Sequence, residues 1–76
     1  MIPRGNFRFI PPRGSSPANP IRGPRGGFID RFRNEWVRGP NHNFPGDGAY
    51  EWDVQLKGGG HLNVSESGKV VKPAGK

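Results

Sequence analysis

Three side chains that can move protons lie close together in the last third of this chain: Glu51, Asp53 and His61. A histidine has an unperturbed pKa of about 6.5, so it can act as an acid or a base near neutral pH. A carboxylate can serve as the second proton-transfer group, or it can orient the imidazole. The residue types therefore indicate general acid–base chemistry, provided that the fold brings the three side chains to one surface.

Two alternating segments are expected to provide that surface. YEWDVQL, residues 50 to 56, and HLNVS, residues 61 to 65, both alternate apolar and polar side chains with the period of a half-buried β-strand. A short glycine-rich turn separates them, so we expect the strands to pair, with directly opposite Cβ atoms about 4.5 to 5.5 Å apart. The default for such a face is simple solvation. The outward-facing set comprises Glu51, Asp53, Gln55, His61, Asn63 and Ser65.

The other elements are also short and extended. The segment FIDRFRNEWVRGP, residues 28 to 40, indicates a hairpin with a strand at residues 28 and 29, a turn over residues 30 to 34 and a second strand from Glu35 to Arg38, in which Trp36 is a core residue. KVVK, residues 69 to 72, indicates a last short strand, and no segment has a helical period. The predicted fold class is mainly β: a small twisted antiparallel sheet of four to five short strands in meander order. Alternation also assigns Trp52 to the core.

Length and composition exclude several classes of protein. The chain has 76 residues, 30% of them hydrophobic, with 13 Gly and 9 Pro, so any core is small. The absence of cysteine excludes a disulfide framework, a thiol nucleophile and a thiolate zinc site. His42 and His61 alone make a poor zinc site, and we expect neither a metal nor a cofactor. No apolar run approaches the roughly 20 residues of a membrane span.

Charge is concentrated at the beginning of the chain. The net charge is +6, and residues 1 to 29 contain five arginines, no acidic residue and six of the nine prolines. We therefore divide the chain into an extended Pro/Arg/Gly-rich arm, residues 1 to 27, and a small folded domain, residues 28 to 76. The arm can tether the domain to an upstream protein, or it can wrap RNA or a protein partner. The net charge favours a polyanionic partner: nucleic acid, an anionic membrane surface or an acidic protein.

The combination of GFIDRFRNEWVRGPNHN, YEWDVQL and GGHLNVS resembles the polymorphic toxin type 17 domain, a small C-terminal bacterial toxin module predicted to be a ribonuclease. The resemblance covers roughly residues 24 to 72. More distantly, YEWD followed by the GHL segment is similar to the catalytic segment of the ribosomal-RNA-cleaving colicins. In those colicins the aspartate aligned with Asp53 acts with a histidine three residues later, a glutamate further on and an arginine near the C-terminus. This chain has Leu56 at that histidine position and lacks the segment that carries the glutamate.

The resemblance implies a cytotoxic, metal-independent endoribonuclease that cleaves ribosomal or transfer RNA. A base removes the proton of a ribose 2′-OH, which attacks the adjacent phosphorus, and an acid protonates the departing 5′ oxygen. We assign proton transfer to His61 together with Asp53 or Glu51. Cations stabilise the additional phosphate charge. The candidates for phosphate or RNA binding are Arg38, Lys57, Lys69 and His42.

The same resemblance implies a biological setting. The domain would be the C-terminal part of a larger toxin, secreted or delivered by the producing bacterium and active in the cytoplasm of a target cell. A cognate immunity protein would protect the producer, and the positive charge predicts that this partner is acidic. We expect a monomer apart from that complex. The alternatives are a non-catalytic basic RNA-binding protein and a protein-docking module.

Overall fold

Five β-strands form one antiparallel sheet, in the order β1-β2-β3-β4-β5. The computed structural model describes residues 8 to 71, and no helix occurs among them. No described segment is therefore an apolar helix of the length that a membrane span requires. The mainly β meander predicted from the sequence is confirmed. The strands are β1 (Phe28–Ile29), β2 (Glu35–Pro40), β3 (Tyr50–Gln55), β4 (His61–Ser65) and β5 (Val70–Val71).

Strand register separates an apolar face of the sheet from a polar face. Trp52 pairs with Val64 and Asp53 pairs with Asn63, and directly opposite residues point to the same side. The apolar residues of β3 and β4 therefore share one side of the sheet and their polar residues share the other, as predicted. The apolar face carries Phe28, Trp36, Arg38, Tyr50, Trp52, Val54, Leu62 and Val64. The polar face carries Glu35, Val37, Glu51, Asp53, Gln55, His61, Asn63 and Ser65.

The hydrophobic core lies on the apolar face. Trp36, Val54 and Val64 are buried, and Trp52 packs against them while it stays partly exposed. The rings of Trp36 and Trp52 meet edge to face with centroids 6.0 Å apart, an arrangement that contributes about 0.5 to 1.5 kcal/mol beyond area burial. Both tryptophans therefore belong to the core, as predicted.

One buried carboxylate organises the turn between β1 and β2. Asp30 Oδ1 accepts hydrogen bonds from the backbone N–H groups of Phe32 and Asn34, both at 2.9 Å. Its Oδ2 accepts from Asn34 Nδ2 at 3.2 Å and from the indole Nε1 of Trp36 at 2.9 Å. A buried charge is tolerated when donors surround it in this way. Asp30 therefore ties the turn to the main core residue.

The described part of the predicted arm, residues 8 to 27, lies against the sheet. The Phe9 ring meets the Trp36 ring edge to face at 5.7 Å. Two backbone hydrogen bonds join this segment to the hairpin: Arg31 N donates to Ile10 O at 2.7 Å, and Ile29 N donates to Ile21 O at 2.9 Å. These contacts cross the predicted boundary between residues 27 and 28. The division of the chain into an arm and a folded domain stays a prediction.

Candidate functional site

Four half-buried polar side chains lie side by side on β3 and β4: Asp53, Gln55, His61 and Asn63. We call them the polar cluster. Asp53 lies opposite Asn63, and Gln55 lies opposite His61. Gln55 Nε2 donates a hydrogen bond to Asp53 Oδ1 at 2.9 Å. Asp53 and His61 are diagonal neighbours, for which the Cβ separation is about 7 to 8 Å, so a substrate hydroxyl or a water molecule can lie between their polar atoms.

The imidazole of His61 is available to a ligand. Among residues 8 to 71, none exchanges a hydrogen bond with either ring nitrogen of His61. Both nitrogens can therefore contact a substrate, one as an acceptor and the other as a donor in the neutral form. Within the same residues, no group of three histidine, aspartate or glutamate side chains is arranged to hold a metal ion.

Glu51 lies on the polar face but is covered by the loop that follows β2. Glu51 is only 7% exposed. Oε1 accepts hydrogen bonds from the backbone N–H groups of His42 at 2.8 Å and Asn43 at 2.9 Å, and Oε2 accepts from Asn43 Nδ2 at 2.8 Å. Burial raises the pKa of this carboxyl, but the donors of Asn43 and His42 lower it more, so the pKa lies below its usual value. The prediction that Glu51 faces solvent beside Asp53 is wrong, because the loop packs over it.

Only one of the predicted cations lies at the same end of the sheet as His61. Lys57 is exposed in the turn between β3 and β4, where its backbone N donates to Asn34 Oδ1 at 3.0 Å. Lys69 lies beyond the other end of β4, and its Nζ is 3.9 Å from Asp47 Oδ2. The fold therefore brings Lys57 close to the polar cluster and places Lys69 elsewhere.

Arg38 and His42 are also separated from the polar cluster. Arg38 lies on the apolar face, where its guanidinium stacks over the ring of Tyr50 at 5.1 Å from the centroid. The sequence contained a signal for this placement, because Arg38 and Trp36 are two residues apart on one strand and must point to the same side. His42 is exposed in the loop, and its contact with Glu51 is through its backbone.

A second buried carboxylate on the polar face was not singled out by sequence reasoning. Glu35 Oε2 accepts hydrogen bonds from the backbone N–H groups of Arg25 at 2.8 Å and Gly27 at 2.9 Å. Arg25 Nη1 lies 3.4 Å from Glu35 Oε1. Glu35 thus anchors the N-terminal segment much as Glu51 anchors the loop. Of the polar-face carboxylates, Asp53 is the one that remains accessible beside His61.

A cavity of about 560 Å³ lies on the opposite side of the sheet, between residues 8 to 21 and the apolar face. Phe28 and Trp52 line it from the sheet, and Phe9, Pro12 and Ile21 line it from the N-terminal segment. A single-layer sheet separates this cavity from the polar cluster. The cavity was not predicted, because it depends on how the proline-rich segment packs.

The fold and the site together define a small basic all-β domain that carries an accessible histidine and an accessible aspartate on one face of its sheet. The family model described as Novel toxin 17 matches residues 1 to 72. The chain therefore belongs to this family of polymorphic toxin domains, as its resemblance to polymorphic toxin type 17 predicted. No curated protein and no solved structure matches the chain. The distant similarity to colicins stays a prediction.

Proposed function

We propose that this toxin domain is a metal-independent endoribonuclease with the polar cluster as its active site. The observation that carries the proposal is the register of β3 and β4, which makes Asp53 and His61 accessible diagonal neighbours. The net charge of +6 supports a polyanionic substrate. Membership of a toxin family supports a reaction that harms a cell.

Proton transfer in this proposal falls to His61 and Asp53. His61 takes the proton from the ribose 2′-OH or gives a proton to the departing 5′ oxygen, because its pKa range suits either step. Asp53 takes the other role or orients the imidazole. The amide groups of Gln55 and Asn63 and the ammonium of Lys57 can donate to the phosphate oxygens as their charge increases. The reaction needs a 2′-OH, so the substrate class is RNA and not DNA.

The biological setting follows from the family and the charge. A polymorphic toxin domain is delivered to competitor cells, so we propose ribosomal or transfer RNA in the target cytoplasm as the substrate. The domain acts as the C-terminal part of a larger toxin and as a monomer until an acidic immunity protein binds it. Complementary charge supports rapid association with that partner.

Incubation with RNA in the presence of EDTA tests the proposal. Wild-type protein, His61→Ala and Asp53→Asn are each mixed with intact ribosomes and with total RNA, and the products are separated on a denaturing gel. Discrete fragments are expected from the wild type, with rates about 100- to 10,000-fold lower for His61→Ala, because a proton-transfer group contributes that much. The fragment ends identify the RNA and the bond that is cleaved.

The second histidine of the chain offers a matched comparison. His42→Ala preserves the backbone hydrogen bond to Glu51 and changes an exposed side chain of the loop after β2 that is not part of the polar cluster, so we expect less than about a tenfold reduction in rate. Equal cleavage by wild type and His61→Ala would contradict the proposal. Intact RNA in every lane, with folded protein that still binds RNA, would favour the alternative of a non-catalytic RNA-binding module.

A further inference from the structure

The turn between β1 and β2 exposes an aromatic ring between two arginines. Phe32 is 59% exposed, the highest value among the large hydrophobic side chains of the described residues. Arg31 and Arg33 are also exposed. The two ion pairs among residues 8 to 71 involve other cations, Arg25 and Lys69. We call residues 31 to 33 the RFR turn. Neither of its guanidinium groups has a carboxylate partner within the described part of the chain, and Arg31 Nε donates one hydrogen bond, to Pro11 O at 3.3 Å.

This turn is held in one conformation by the backbone and by Asp30. Asp30 N donates to Asn34 O at 2.9 Å, and Arg33 N donates to Asp30 O at 3.1 Å. The Asp30 carboxylate accepts from Phe32 N. Arg33 has a φ of 70°, a left-handed conformation that costs an L residue free energy. These hydrogen bonds hold the backbone of the turn in place, so only the exposed Phe32 side chain has to be ordered when a ligand binds, which lowers the entropic cost of binding.

The RFR turn lies at the same end of the sheet as His61. Asn34, which ends the turn, accepts a hydrogen bond from Lys57 N at 3.0 Å and so joins the β3–β4 turn. Glu35 pairs with Gln55, and Gln55 pairs with His61. Strands lie about 4.8 Å apart, so about 10 Å separates the backbone of His61 from that of Glu35, which begins β2 two residues after the turn. That distance is well inside the footprint of about 4 to 16 nucleotides that a small single-strand-binding β-domain covers.

We propose that the RFR turn is a binding site for an unpaired nucleotide of RNA that flanks the cleaved bond. Phe32 stacks on the base, and the guanidinium groups of Arg31 and Arg33 contact the neighbouring phosphates. Aromatic rings bind bases of any sequence through their π faces, and arginine adds phosphate contacts. The choice of RNA as ligand rests on the proposed function, whereas the binding mode rests on the geometry of the turn.

A bilayer is the other class of partner that an exposed aromatic ring between arginines can suit. A single inserted phenylalanine supplies little membrane affinity by itself, because burial of one such side chain contributes only about 1.5 to 3 kcal/mol. The turn lies at the same end of the sheet as Lys57 and His61, a position that has a direct use in RNA binding and none in membrane insertion. The observations therefore favour single-stranded RNA.

Binding to an oligonucleotide that cannot be cleaved tests this inference separately from catalysis. A fluorescently labelled 2′-O-methyl RNA of about 10 nucleotides lacks the free hydroxyl that the reaction needs, so anisotropy measures binding alone. Phe32→Ala should weaken binding about 5- to 150-fold, the loss expected for one stacked base. Phe32→Tyr should preserve binding because it keeps the ring. Phe32→Leu should behave like the alanine variant because it keeps apolar area but removes the π face.

Further variants separate charge from general effects. Arg33→Ala should lower the slope of log affinity against log salt concentration by about 1, as expected for one lost phosphate contact, and Arg33→Lys should restore it. Ile21→Ala, which truncates a side chain that is 47% exposed outside the turn, should bind like the wild type. Each variant is first shown to have the wild-type urea midpoint.

The outcomes distinguish this inference from the proposed function. Phe32-dependent binding without any RNA cleavage would support the turn as a site for an unpaired nucleotide and contradict the ribonuclease. Cleavage with equal binding by wild type and Phe32→Ala would overturn the inference alone. Equal RNA binding combined with Phe32-dependent binding to phosphatidylserine-containing vesicles would overturn it in favour of a membrane contact.

Discussion

Replacement of Glu51 by glutamine tests whether this carboxylate holds the loop after β2 or takes part in proton transfer. The change preserves the size of the side chain and one carbonyl oxygen, which can still accept from His42 N and Asn43 N. It removes the negative charge and places an amide N–H₂ opposite Asn43 Nδ2. Two donors then face each other, unless the Asn43 amide turns over and presents its oxygen. All three charge-assisted hydrogen bonds are therefore weakened or lost.

The expected loss of stability follows from the bond count. A hydrogen bond to a charged group contributes about 1.5 to 3 kcal/mol net, and a neutral one about 0.5 to 1.5 kcal/mol. Three bonds at about 1 kcal/mol each predict a destabilisation of about 3 kcal/mol at pH 7. Because Glu51 is only 7% exposed, screening by solvent reduces this destabilisation only slightly. The free energy of unfolding of a domain of this length is about 4 to 11 kcal/mol, so the expected loss is a large fraction of it.

The pH dependence of that loss has a definite sign. The pKa of Glu51 in the folded protein is lowered from the ordinary value of 4.5, because the hydrogen bonds outweigh the opposing effect of burial. A carboxyl with a lowered folded pKa contributes stability above its unfolded pKa and loses that contribution as the pH falls through its folded pKa. The wild type should therefore lose stability as the pH falls below 4.5, and its difference from Glu51→Gln should shrink as the pH falls through the lowered folded pKa.

Urea unfolding followed by tryptophan fluorescence measures both effects. Glu66→Gln is the control, because the Glu66 carboxylate also accepts backbone bonds, from Ala49 N at 2.7 Å and Tyr50 N at 3.3 Å, but on an exposed residue. Its expected cost is below about 1 kcal/mol. Equal midpoints for wild type and Glu51→Gln at pH 7, or a difference that grows as the pH falls below 4.5, would refute the reasoning. A folded Glu51→Gln protein that had lost RNA cleavage would instead assign Glu51 to catalysis.

Three further changes test the packing around the sheet, each by its urea midpoint. Asp30→Ala removes the carboxylate that accepts from four donors, among them Trp36 Nε1, and should lower the free energy of unfolding by about 3 to 5 kcal/mol. A loss below about 1 kcal/mol would argue against a stabilising role of these four hydrogen bonds. Phe9→Ala removes a ring from the core and should cost about 2 kcal/mol; no change would mean that the N-terminal segment does not pack on the sheet in solution. Gly27→Ala places a Cβ 2.5 Å from Trp36 O and 2.9 Å from Glu35 Cγ, so we expect a loss of about 1 to 3 kcal/mol from overpacking; wild-type stability would show that the turn shifts freely.

The strands were predictable because their signals are local. Alternation over residues 50 to 56 and 61 to 65, with glycines between them, predicted β3 and β4 and the set of side chains that share the polar face. The hairpin of β1 and β2 was equally predictable, although β2 continues to Pro40 beyond the predicted end at Arg38. Proline has no backbone N–H to donate, so it is tolerated at a strand end, where no further ladder hydrogen bond has to be made.

The candidate site was predictable in part. Side-chain direction in a strand repeats every two residues, so one residue's orientation determines the others, and Asp53 and His61 were correctly placed on one face. The same rule would have placed Arg38 on the side of Trp36. The exposure of Glu51 was not predictable by this rule, because alternation assigns a side of the sheet and says nothing about what covers it.

The sequence by itself determined the fold class, the strand order and the partition of residues between the two faces, because backbone geometry imposes a period of two on every strand. Only the tertiary structure decided which polar-face carboxylates stay accessible. Glu51 is covered by residues 42 and 43, and Glu35 by residues 25 and 27. Burial arises from contacts between different segments of the chain, which no local period encodes, and this leaves Asp53 accessible beside His61.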